Sequence, residues 1–439
     1  MVVALGCGSP PGGGGRIDDA APGDAPEDGA RDGTPDGTPD GATPSCLTSG
    51  MLDASFGSGG VTTFRGLVPN EVFGLGSVKI DAESRIVATG SFLQGARSCV
   101  LVRLLPDGSL DPSFGSGGIV RQSFGIANGE CWYFDAALQA DGKIVVVGLL
   151  DPHTSTRGIV VRYLPDGALD LAFGQDGLVV SSPEPTSDFT AVAVDAQQRI
   201  VVAGMLTSGP IFEEMSTYLT RRYLPDGSPD PAFGVDGTAE EPFRNGSDAA
   251  FDLAIQASGR ILVVGEASTS PNTAIGHQLA IVGYTPDGRK DPTFGANGLV
   301  FVDGAGAGIA RDAQDRIVAV GMNFLLEEAV VPVLREDGTV EATIVDPQVP
   351  SGYTSVEFDA SGRYVAVGTT GAARPVLARY TAGGRDLTFG TNGVAADLPL
   401  PGTLQEGHDL AIQADGRIVI VGDYGLGDRG DGYVARYCP

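Results

Sequence analysis

The sequence predicts an all-β fold, a seven-bladed β-propeller built from four-stranded antiparallel blades. One phrase, a third strand ending in Arg-Tyr or Arg-Leu, a Pro-Asp-Gly turn, a Phe-Gly pair and a fourth strand, recurs at residues 103–120, 162–179 and 222–237, with a looser copy at 283–300. A second phrase, a basic residue followed by an apolar run that ends in glycine, occurs seven times. A four-stranded unit repeated in this way is typical of a propeller.

The second phrase predicts the inner hairpin of each blade. A short apolar segment, a turn such as Asp-Gly or Ser-Gly, and the apolar run form two strands joined by a tight connection, and nothing in the unit has a helical period. We call the seven runs landmark runs and the basic residue that begins each one its landmark basic residue. They span residues 85–90, 143–148, 199–204, 260–265, 316–321, 363–368 and 417–422.

The two ends of the repeat region carry complementary parts of one unit. Residues 433–439 hold a third strand without its turn and fourth strand, and residues 47–62 supply both. A β-solenoid, the alternative architecture, has shorter rungs and no reason for this offset. We therefore expect the N-terminal segment to complete the last blade and close the ring. Blade five is irregular, because no Phe-Gly pair follows its turn at 335–338.

The first residues predict export and a lipid anchor. Residues 1–7 are similar to the end of a bacterial lipoprotein signal, with Gly6 before Cys7 as the lipidated residue. Ala4 stands where a lipobox usually has leucine, and no basic segment precedes it, which a start codon placed too late would explain. Residues 8–45 have little apolar surface to bury, so we expect a disordered acidic Gly/Pro/Asp tether before the propeller at 46–439.

Charge excludes two classes of partner. The chain has 55 acidic and 28 basic residues, a net charge of −27, whereas nucleic acid and anionic lipid both require a basic surface. No apolar run approaches the roughly 18 residues of a transmembrane span. We expect a monomer whose membrane contact is the lipid anchor.

The phrase Tyr-Leu-Pro-Asp-Gly followed by Leu-Asp-Pro-Ser-Phe-Gly resembles the delta-60 repeat of bacterial propeller-like surface proteins. The resemblance covers residues 47–439, and five copies keep most of the motif. It implies a propeller-like repeat in an extracytoplasmic setting, as an outer-membrane or cell-surface lipoprotein or a secreted protein. It implies no reaction.

Five cysteines leave four once Cys7 is assigned to the lipid. Aligned on the repeat, Cys46 and Cys438 fall in neighbouring positions of one strand path, reached from opposite ends of the chain, so we expect a disulfide that closes the ring. Cys99 and Cys131 lie in consecutive blades and are expected to form a second disulfide, with buried free thiols as the alternative. Disulfides would place the protein outside the cytoplasm.

One repeat column is a candidate cation site. The first strand of a propeller blade lines the central channel, so the residues eight places before each landmark basic residue should form a ring near one mouth. Its oxygen-bearing members could hold a cation, for which Ca²⁺ is the best match. The alternative is that these residues begin strands and satisfy turn N–H groups. The column reads Ser77, Asp135, Ala191, Asp252, Gly308, Ser355 and Asp409.

Other polar residues predict structural roles. His153, His277 and His408 fall in unrelated columns, and no His-x-His or Cys-x-x-Cys pair suggests a transition-metal site. No catalytic residue or cofactor is assigned. The turn aspartates, the link aspartates and the landmark basic residues recur in most blades, which favours turns and ion pairs over a single site. The turn aspartates are those of the Pro-Asp-Gly turns, Asp107, Asp166, Asp226 and Asp287, and the link aspartates are those that follow them, Asp111, Asp170, Asp230 and Asp291.

Three functions are consistent with these features. The leading one is a non-enzymatic, surface-tethered propeller that binds an envelope protein or a glycan. The alternative is a secreted hydrolase or lyase that acts on carbohydrate or lactone, with channel carboxylates as acid and base. The third is a purely structural envelope protein.

Overall fold

The described part of the chain is all β. The computed structural model describes residue 46 and residues 48–64, 72–94, 96–124, 130–151, 156–182, 185–208, 215–243, 248–268, 277–323, 325–349, 352–426 and 429–439. Within these residues 28 strands form seven antiparallel four-stranded blades. The predicted signal residues, Cys7 and the tether lie outside the described residues. None of the described residues belongs to a helix of the length and apolarity that a membrane crossing requires.

Each blade runs outward from the channel as first, second, third and fourth strand. The first strand along the chain is β1 (Val61–Thr63). Blade 1 contains β2 (Val72–Ile80), β3 (Ile86–Gln94), β4 (Ala96–Leu104) and β5 (Ile119–Gln122). Blade 2 contains β6 (Glu130–Leu138), β7 (Ile144–Asp151), β8 (Arg157–Tyr163) and β9 (Leu178–Val180). Blade 3 contains β10 (Thr186–Val194), β11 (Ile200–Ser208), β12 (Met215–Tyr223) and β13 (Thr238–Glu241). Blade 4 contains β14 (Ala249–Ile255), β15 (Ile261–Ser268), β16 (His277–Tyr284) and β17 (Leu299–Asp303). Blade 5 contains β18 (Ala305–Arg311), β19 (Ile317–Asn323), β20 (Glu328–Leu334) and β21 (Val340–Asp346). Blade 6 contains β22 (Tyr353–Phe358), β23 (Tyr364–Thr369), β24 (Pro375–Thr381) and β25 (Gly384–Arg385). Blade 7 contains β26 (Leu404–Ile412), β27 (Ile418–Leu426) and β28 (Arg429–Tyr437).

The ring closes as the sequence predicted. Each first strand contacts the first strand of the next blade, from β2 through β6, β10, β14, β18 and β22 to β26, which contacts β2 again. β1 pairs antiparallel with β28, with Val61 opposite Ala435, and is therefore the fourth strand of blade 7. A single parallel bridge between Phe73 and Asp431 adds a direct link from blade 1 to blade 7.

The structure contains both expected disulfides. Cys46 and Cys438 are joined across 392 residues of chain, with their Cα atoms 5.3 Å apart. Cys99 on β4 is joined to Cys131 on β6, with Cα atoms 5.0 Å apart, so this bond links blade 1 to blade 2. Disulfides persist in oxidising compartments, which indicates that the protein lies outside the cytoplasm.

The hydrophobic core lies between the blades. One cluster combines Val87 and Leu101 of blade 1 with Val146 and Val161 of blade 2, all at most 1% exposed. Because each second and third strand is covered on both faces by neighbouring blades, its residues are apolar in succession instead of alternating with polar ones. This packing explains why the landmark runs are continuous stretches of valine and isoleucine.

The first phrase of the repeat forms a clasp, by which we mean a third-strand arginine, a link aspartate and the phenylalanine of the Phe-Gly pair. In blade 1 the Nε of Arg103 donates to Asp111 at 2.7 Å, and the guanidinium lies 4.4 Å from the ring centroid of Phe114. Phe114 is completely buried. A buried guanidinium needs such a paired charge and an aromatic face to offset its lost hydration.

In four blades the clasp also joins the blade to the next one. Arg103 donates to the carbonyl of Pro165 in the blade 2 turn at 2.5 Å, and the N–H of Gly115 donates to the carbonyl of Asp166 at 2.8 Å. The repeat motif thus forms a contact between neighbouring blades. The arginines that bind a proline carbonyl of the following blade in this way are Arg103, Arg162, Arg222 and Arg436.

Two blades depart from the clasp. In blade 4 a glycine, Gly283, occupies the position of the clasp arginine. Arg260, which directly precedes the neighbouring strand β15, donates to the link aspartate Asp291 at 2.7 Å instead. In blade 5, where the sequence lacks Phe-Gly, β21 ends at Asp346, which accepts hydrogen bonds from Arg385 and Tyr380 of blade 6. The irregular blade therefore uses a different interblade contact.

The landmark basic residues form ion pairs in one of two ways. Where the inner turn begins with aspartate, the basic residue pairs with it, as Arg85 does with Asp81 at 2.6 Å. Where the turn begins with glutamine, the basic residue reaches a link aspartate, as Arg417 does with Asp53 at 2.8 Å. The aspartates of the first kind are Asp81, Asp195, Asp312 and Asp359, and the glutamines are Gln139, Gln256 and Gln413.

Candidate functional site

Every first strand contains a β-bulge facing the central channel. In each blade the pairing of first and second strand shifts by one residue, so one residue of the first strand has no partner across the hairpin. A bulge redirects the side chains beside it. The bulged residues all line one cavity of about 280 Å³, here called the channel cavity, and they are Gly76, Phe134, Thr190, Phe251, Ala307, Thr354 and His408.

The bulge accounts for the glycine that ends each landmark run. A Cβ added to Gly204 would lie 2.0 Å from the carbonyl oxygen of Asp188, and one added to Gly148 would lie 1.8 Å from that of Trp132. Neither glycine has a positive φ, so the close approach of the bulged strand, and not the backbone conformation, requires glycine here.

The predicted ring of aspartates follows the bulge and connects blades. The Oδ2 of Asp135 accepts the N–H of Val192 in the next blade at 2.9 Å. Asp252 accepts the N–H of Ile309 at 2.8 Å, and Asp409 accepts that of Val78 at 2.9 Å. These carboxylates satisfy backbone N–H groups, as the structural alternative proposed, but the N–H groups belong to the next blade and not to a turn.

The two serines of the ring extend the same connections. Ser77 donates to Asp135 at 2.9 Å, and Ser355 donates to Asp409 at 2.6 Å. The remaining ring positions, Ala191 and Gly308, contribute no polar side chain.

An ammonium group lies where the predicted cation would be. The Nζ of Lys79 is 2.9 Å from Asp135 and 3.4 Å from Asp409. In the part of the chain that the structure describes, no three His, Cys, Asp or Glu residues are placed to hold a metal ion. The geometry therefore gives the calcium ring no support.

Lys79 and Glu357 are the functional residues that the sequence analysis missed. They occupy the column two residues after the predicted ring and line the channel cavity. A repeat column that is small in most blades keeps the channel open, so its two charged members are departures from the repeat. The other five positions are Ala137, Ala193, Ala254, Ala310 and Ala411. Inspection of this neighbouring column would have found them.

The charge of Lys79 is fixed by its two partners. Burial opposes protonation, but the carboxylates of Asp135 and Asp409 outweigh it and raise the pKa of Lys79 above its usual value. The side chain is 32% exposed. Lys79 is thus a cation at neutral pH, and its charge is balanced within the channel wall.

Two channel carboxyl groups have raised pKa values. Burial, reinforced by the neighbouring Asp135, raises the pKa of Asp252 to about 8. The side chain of Glu357 is exposed to the channel, but the surrounding channel wall desolvates its carboxylate and raises its pKa to about 7; Lys79 opposes this rise, and Asp409 and Asp135 add to it. Within the described residues Glu357 has no hydrogen-bond or ion-pair partner, whereas Asp252 accepts two backbone N–H groups.

His408 is a channel residue that also helps to close the ring. It is the bulged residue of β26, and its Nδ1 lies 2.7 Å from the carbonyl of Leu75 in blade 1. Its Nε2 lies 3.3 Å from Glu406. Burial lowers the pKa of His408, but Glu406 and Asp423 outweigh it and raise the pKa to about 9.

The other histidines do not join this site. His277 is the first residue of β16 and lies beside Glu266, and it does not line the channel cavity. His153 lies outside the described residues.

A closed ring of four-stranded blades around a channel defines a β-propeller. Four segments, residues 84–114, 139–173, 256–294 and 413–439, match the family model described as "Domain of unknown function (DUF5122) beta-propeller". These four segments of the chain are thus similar to a β-propeller family model whose repeat is delta-60-like. Among curated proteins, none matches the sequence significantly.

Solved structures give distant likenesses. A protein of unknown function from Dyadobacter fermentans is 12% identical, with a TM-score of 0.44 over 70% of this chain and 94% of its own. Polysaccharide lyase Uly1 is 11% identical, with a TM-score of 0.47 over 90% of this chain and 98% of its own. A gluconolactonase from Xanthomonas campestris is 13% identical, with a TM-score of 0.37 over 77% and 89%. Likenesses this distant say nothing about activity.

Proposed function

We propose that the protein is a non-enzymatic binding and scaffold propeller of the bacterial cell envelope, and that it binds a glycan in the channel cavity. The observation that carries the proposal is the carboxylate of Glu357, which has no hydrogen-bond or ion-pair partner among the described residues. It lies in a cavity that the aromatic side chains of Phe134 and Phe251 also line. Aromatic faces and a few polar groups in a concave site are what binding of a small polar ligand requires.

Binding is favoured over catalysis because most channel carboxylates are already engaged. Asp135, Asp252 and Asp409 each hold a backbone N–H of the next blade. A general acid or base must be able to reach the substrate proton. The second candidate, a hydrolase or lyase acting on carbohydrate or lactone, has one observation in its favour, the raised pKa values of Asp252 and Glu357.

Two observations support the proposed location, the disulfides and the sequence of the first residues. We propose that Cys7 carries a lipid and that residues 8–45 form the tether between the membrane and the propeller. Mass spectrometry of protein taken from envelope membranes, expressed with its upstream sequence, tests this proposal. Recovery of Cys7 as an unmodified thiol would contradict the anchor.

Glycan binding is tested with the full chain on a glycan array, alongside a panel of envelope proteins. We expect oligosaccharide binding that Phe251→Ala weakens, because this side chain is 39% exposed and lines the channel cavity. Glu240→Ala, which removes an exposed carboxylate from the outer strand β13, is the matched control and should leave binding intact. Absence of glycan binding would overturn the proposal, and product release from a bound glycan would favour the enzyme.

A further inference from the structure

We infer that the ligand of the channel cavity carries a protonated amine, and that Glu357 accepts its hydrogen bond. The inference rests on the proposed glycan binding and adds the charge of the ligand. It follows from which charged groups of the cavity are already paired and which one is not.

The cations of the cavity are both engaged. Of the described residues that line it, Lys79 and His408 are the basic ones. Lys79 contacts Asp135 and Asp409, and His408 lies between the carbonyl of Leu75 and the carboxylate of Glu406. An anionic ligand would have to displace one of these contacts, and a displaced buried carboxylate is costly.

Among the described residues that line the cavity, Glu357 is the carboxylate without such a partner. The other lining carboxylates, Asp135, Asp252 and Asp409, each hold a backbone N–H of the following blade. Glu357 holds none, and five of the seven residues in its column are alanine, so the ring does not need a carboxylate there. Glu357 is exposed to the channel, so its carboxylate is accessible to a donor on a ligand, and a charged donor gives the stronger hydrogen bond.

The remaining lining supports a compact cationic ligand. Phe134 and Phe251 line the cavity, and aromatic rings attract both sugar C–H groups and cations. A volume of about 280 Å³ is at the lower end of ligand sites and suits a single sugar ring or the end of a chain. An amino sugar combines these properties.

The inference predicts a direction of pH dependence. Glu357 must be ionised to accept the amine, and the channel raises its pKa to about 7. The charged or titratable groups that face it are Lys79 on β2, Asp135 on β6, Asp252 on β14, and His408 and Asp409 on β26; β10 and β18 present Ala193 and Ala310. Binding should therefore strengthen as the pH rises through about 7.

The experiment compares three probes that share one sugar ring and differ at C6. Isothermal titration of the full chain uses 6-amino-6-deoxyglucose, glucose and glucuronate, which are cationic, neutral and anionic. We expect the amino sugar to bind about tenfold or more tightly than glucose, as a hydrogen bond between charged groups predicts. Its affinity should rise about tenfold from pH 6 to pH 8, as ionisation of one carboxyl group with a pKa of about 7 requires.

Variants assign the effect to Glu357. Glu357→Gln and Glu357→Ala should abolish both the preference for the amine and its pH dependence, while Glu240→Ala should keep both. Alanine is the residue that five other blades carry in this column, so Glu357→Ala is expected to fold. Equal binding of all three sugars, or tightest binding of glucuronate, would overturn the inference and leave glycan binding standing. Loss of all glycan binding on the array would instead overturn the proposed function.

Discussion

Arg222 shows what the recurring positions of the repeat do at the scale of one residue. It is only 2% exposed, and its Nε donates to Asp230 at 2.8 Å while its guanidinium lies 4.7 Å from the ring of Phe233. The same guanidinium binds the carbonyl of Pro286 in the next blade. One side chain thus satisfies a buried carboxylate and joins two blades.

Arg222→Ala should destabilise the fold by about 3 kcal/mol, because it leaves a buried carboxylate nearly uncompensated. Asp230 would keep the N–H of Ala232, at 2.9 Å, and the more distant charge of Arg199, at 3.7 Å. Urea unfolding of the two proteins measures the difference. Arg335→Ala is the control, since Arg335 is 63% exposed in its pair with Glu341 and such surface pairs contribute about 0–1 kcal/mol. Equal losses in the two variants would refute the clasp as a stabilising contact.

Asp252 has a predictable effect on pH-dependent stability. Burial raises its pKa to about 8, so between about pH 4 and pH 8 the folded protein holds a proton that the unfolded chain releases. The stability that this proton contributes is complete below about pH 4 and is lost as the pH rises through about 8.

Asp252→Asn removes this contribution, so the melting temperature of the variant relative to the native protein should rise from about pH 5 to about pH 9. Thermal unfolding across that range measures the difference. Asp303→Asn, at an exposed position of β17, should show a constant difference. A constant difference for Asp252→Asn as well would mean that the channel does not disfavour the ionised carboxylate.

At the scale of the strand, the bulge of the first strand and the glycine of the second strand form one unit. The bulge brings a main-chain carbonyl against the second strand, and only a residue without Cβ leaves room for it. In exchange the bulged residue enters the channel, which is how Phe134, Phe251 and His408 reach the cavity.

Gly204→Ala should therefore destabilise blade 3 by about 1–3 kcal/mol, in the range of overpacked sites. Its Cβ would meet the carbonyl oxygen of Asp188 at 2.0 Å. Gly430→Ala in β28 is the matched control, because its Cβ would have no neighbour nearer than 3.8 Å and should change stability by less than about 0.5 kcal/mol. Denaturant titration distinguishes the two, and a tolerated Gly204→Ala would remove the steric explanation of the landmark glycine.

At the scale of the whole molecule, closure of the ring depends on contacts between distant parts of the chain. β1 pairs with β28, Cys46 is bonded to Cys438, and the carboxylate of Asp423 in blade 7 accepts the N–H of Leu75 in blade 1 at 3.0 Å. These contacts restrain the two ends of the propeller against the entropy of the long intervening loop.

Replacing both Cys46 and Cys438 with serine should cost more stability than replacing both Cys99 and Cys131. The first bond spans 392 residues and the second 32, for which loop entropy gives about 6 and about 4 kcal/mol as upper values. Hydrogen exchange should then show β1 and the end of β28 losing protection first. Non-reducing peptide mapping identifies the native pairs, and a Cys46–Cys99 peptide would contradict the blade order.

The repeat made much of this fold predictable. The Arg103 and Arg162 phrases, the turns and the runs of valine specify strands through local preferences and burial, so strand order and blade number follow from the sequence. The position of Cys46 relative to Cys438 in the repeat likewise predicted closure and its disulfide. Sequence reading also found the aspartate ring and left two roles open, a cation site and hydrogen bonds to turn N–H groups; in the structure the N–H groups belong to the next blade.

The sequence by itself determined the blades, their order and the closing pair of cysteines, because each depends on a pattern that repeats along the chain. Only the tertiary structure decided which side chains face the channel. A one-residue slip in pairing at each bulge interrupts the alternation of strand faces, so His408 and Phe251 enter a cavity that a period of two would not assign to them. The partners of Lys79 and the lack of a partner for Glu357 depend on residues from separate blades, which meet only when the ring is closed.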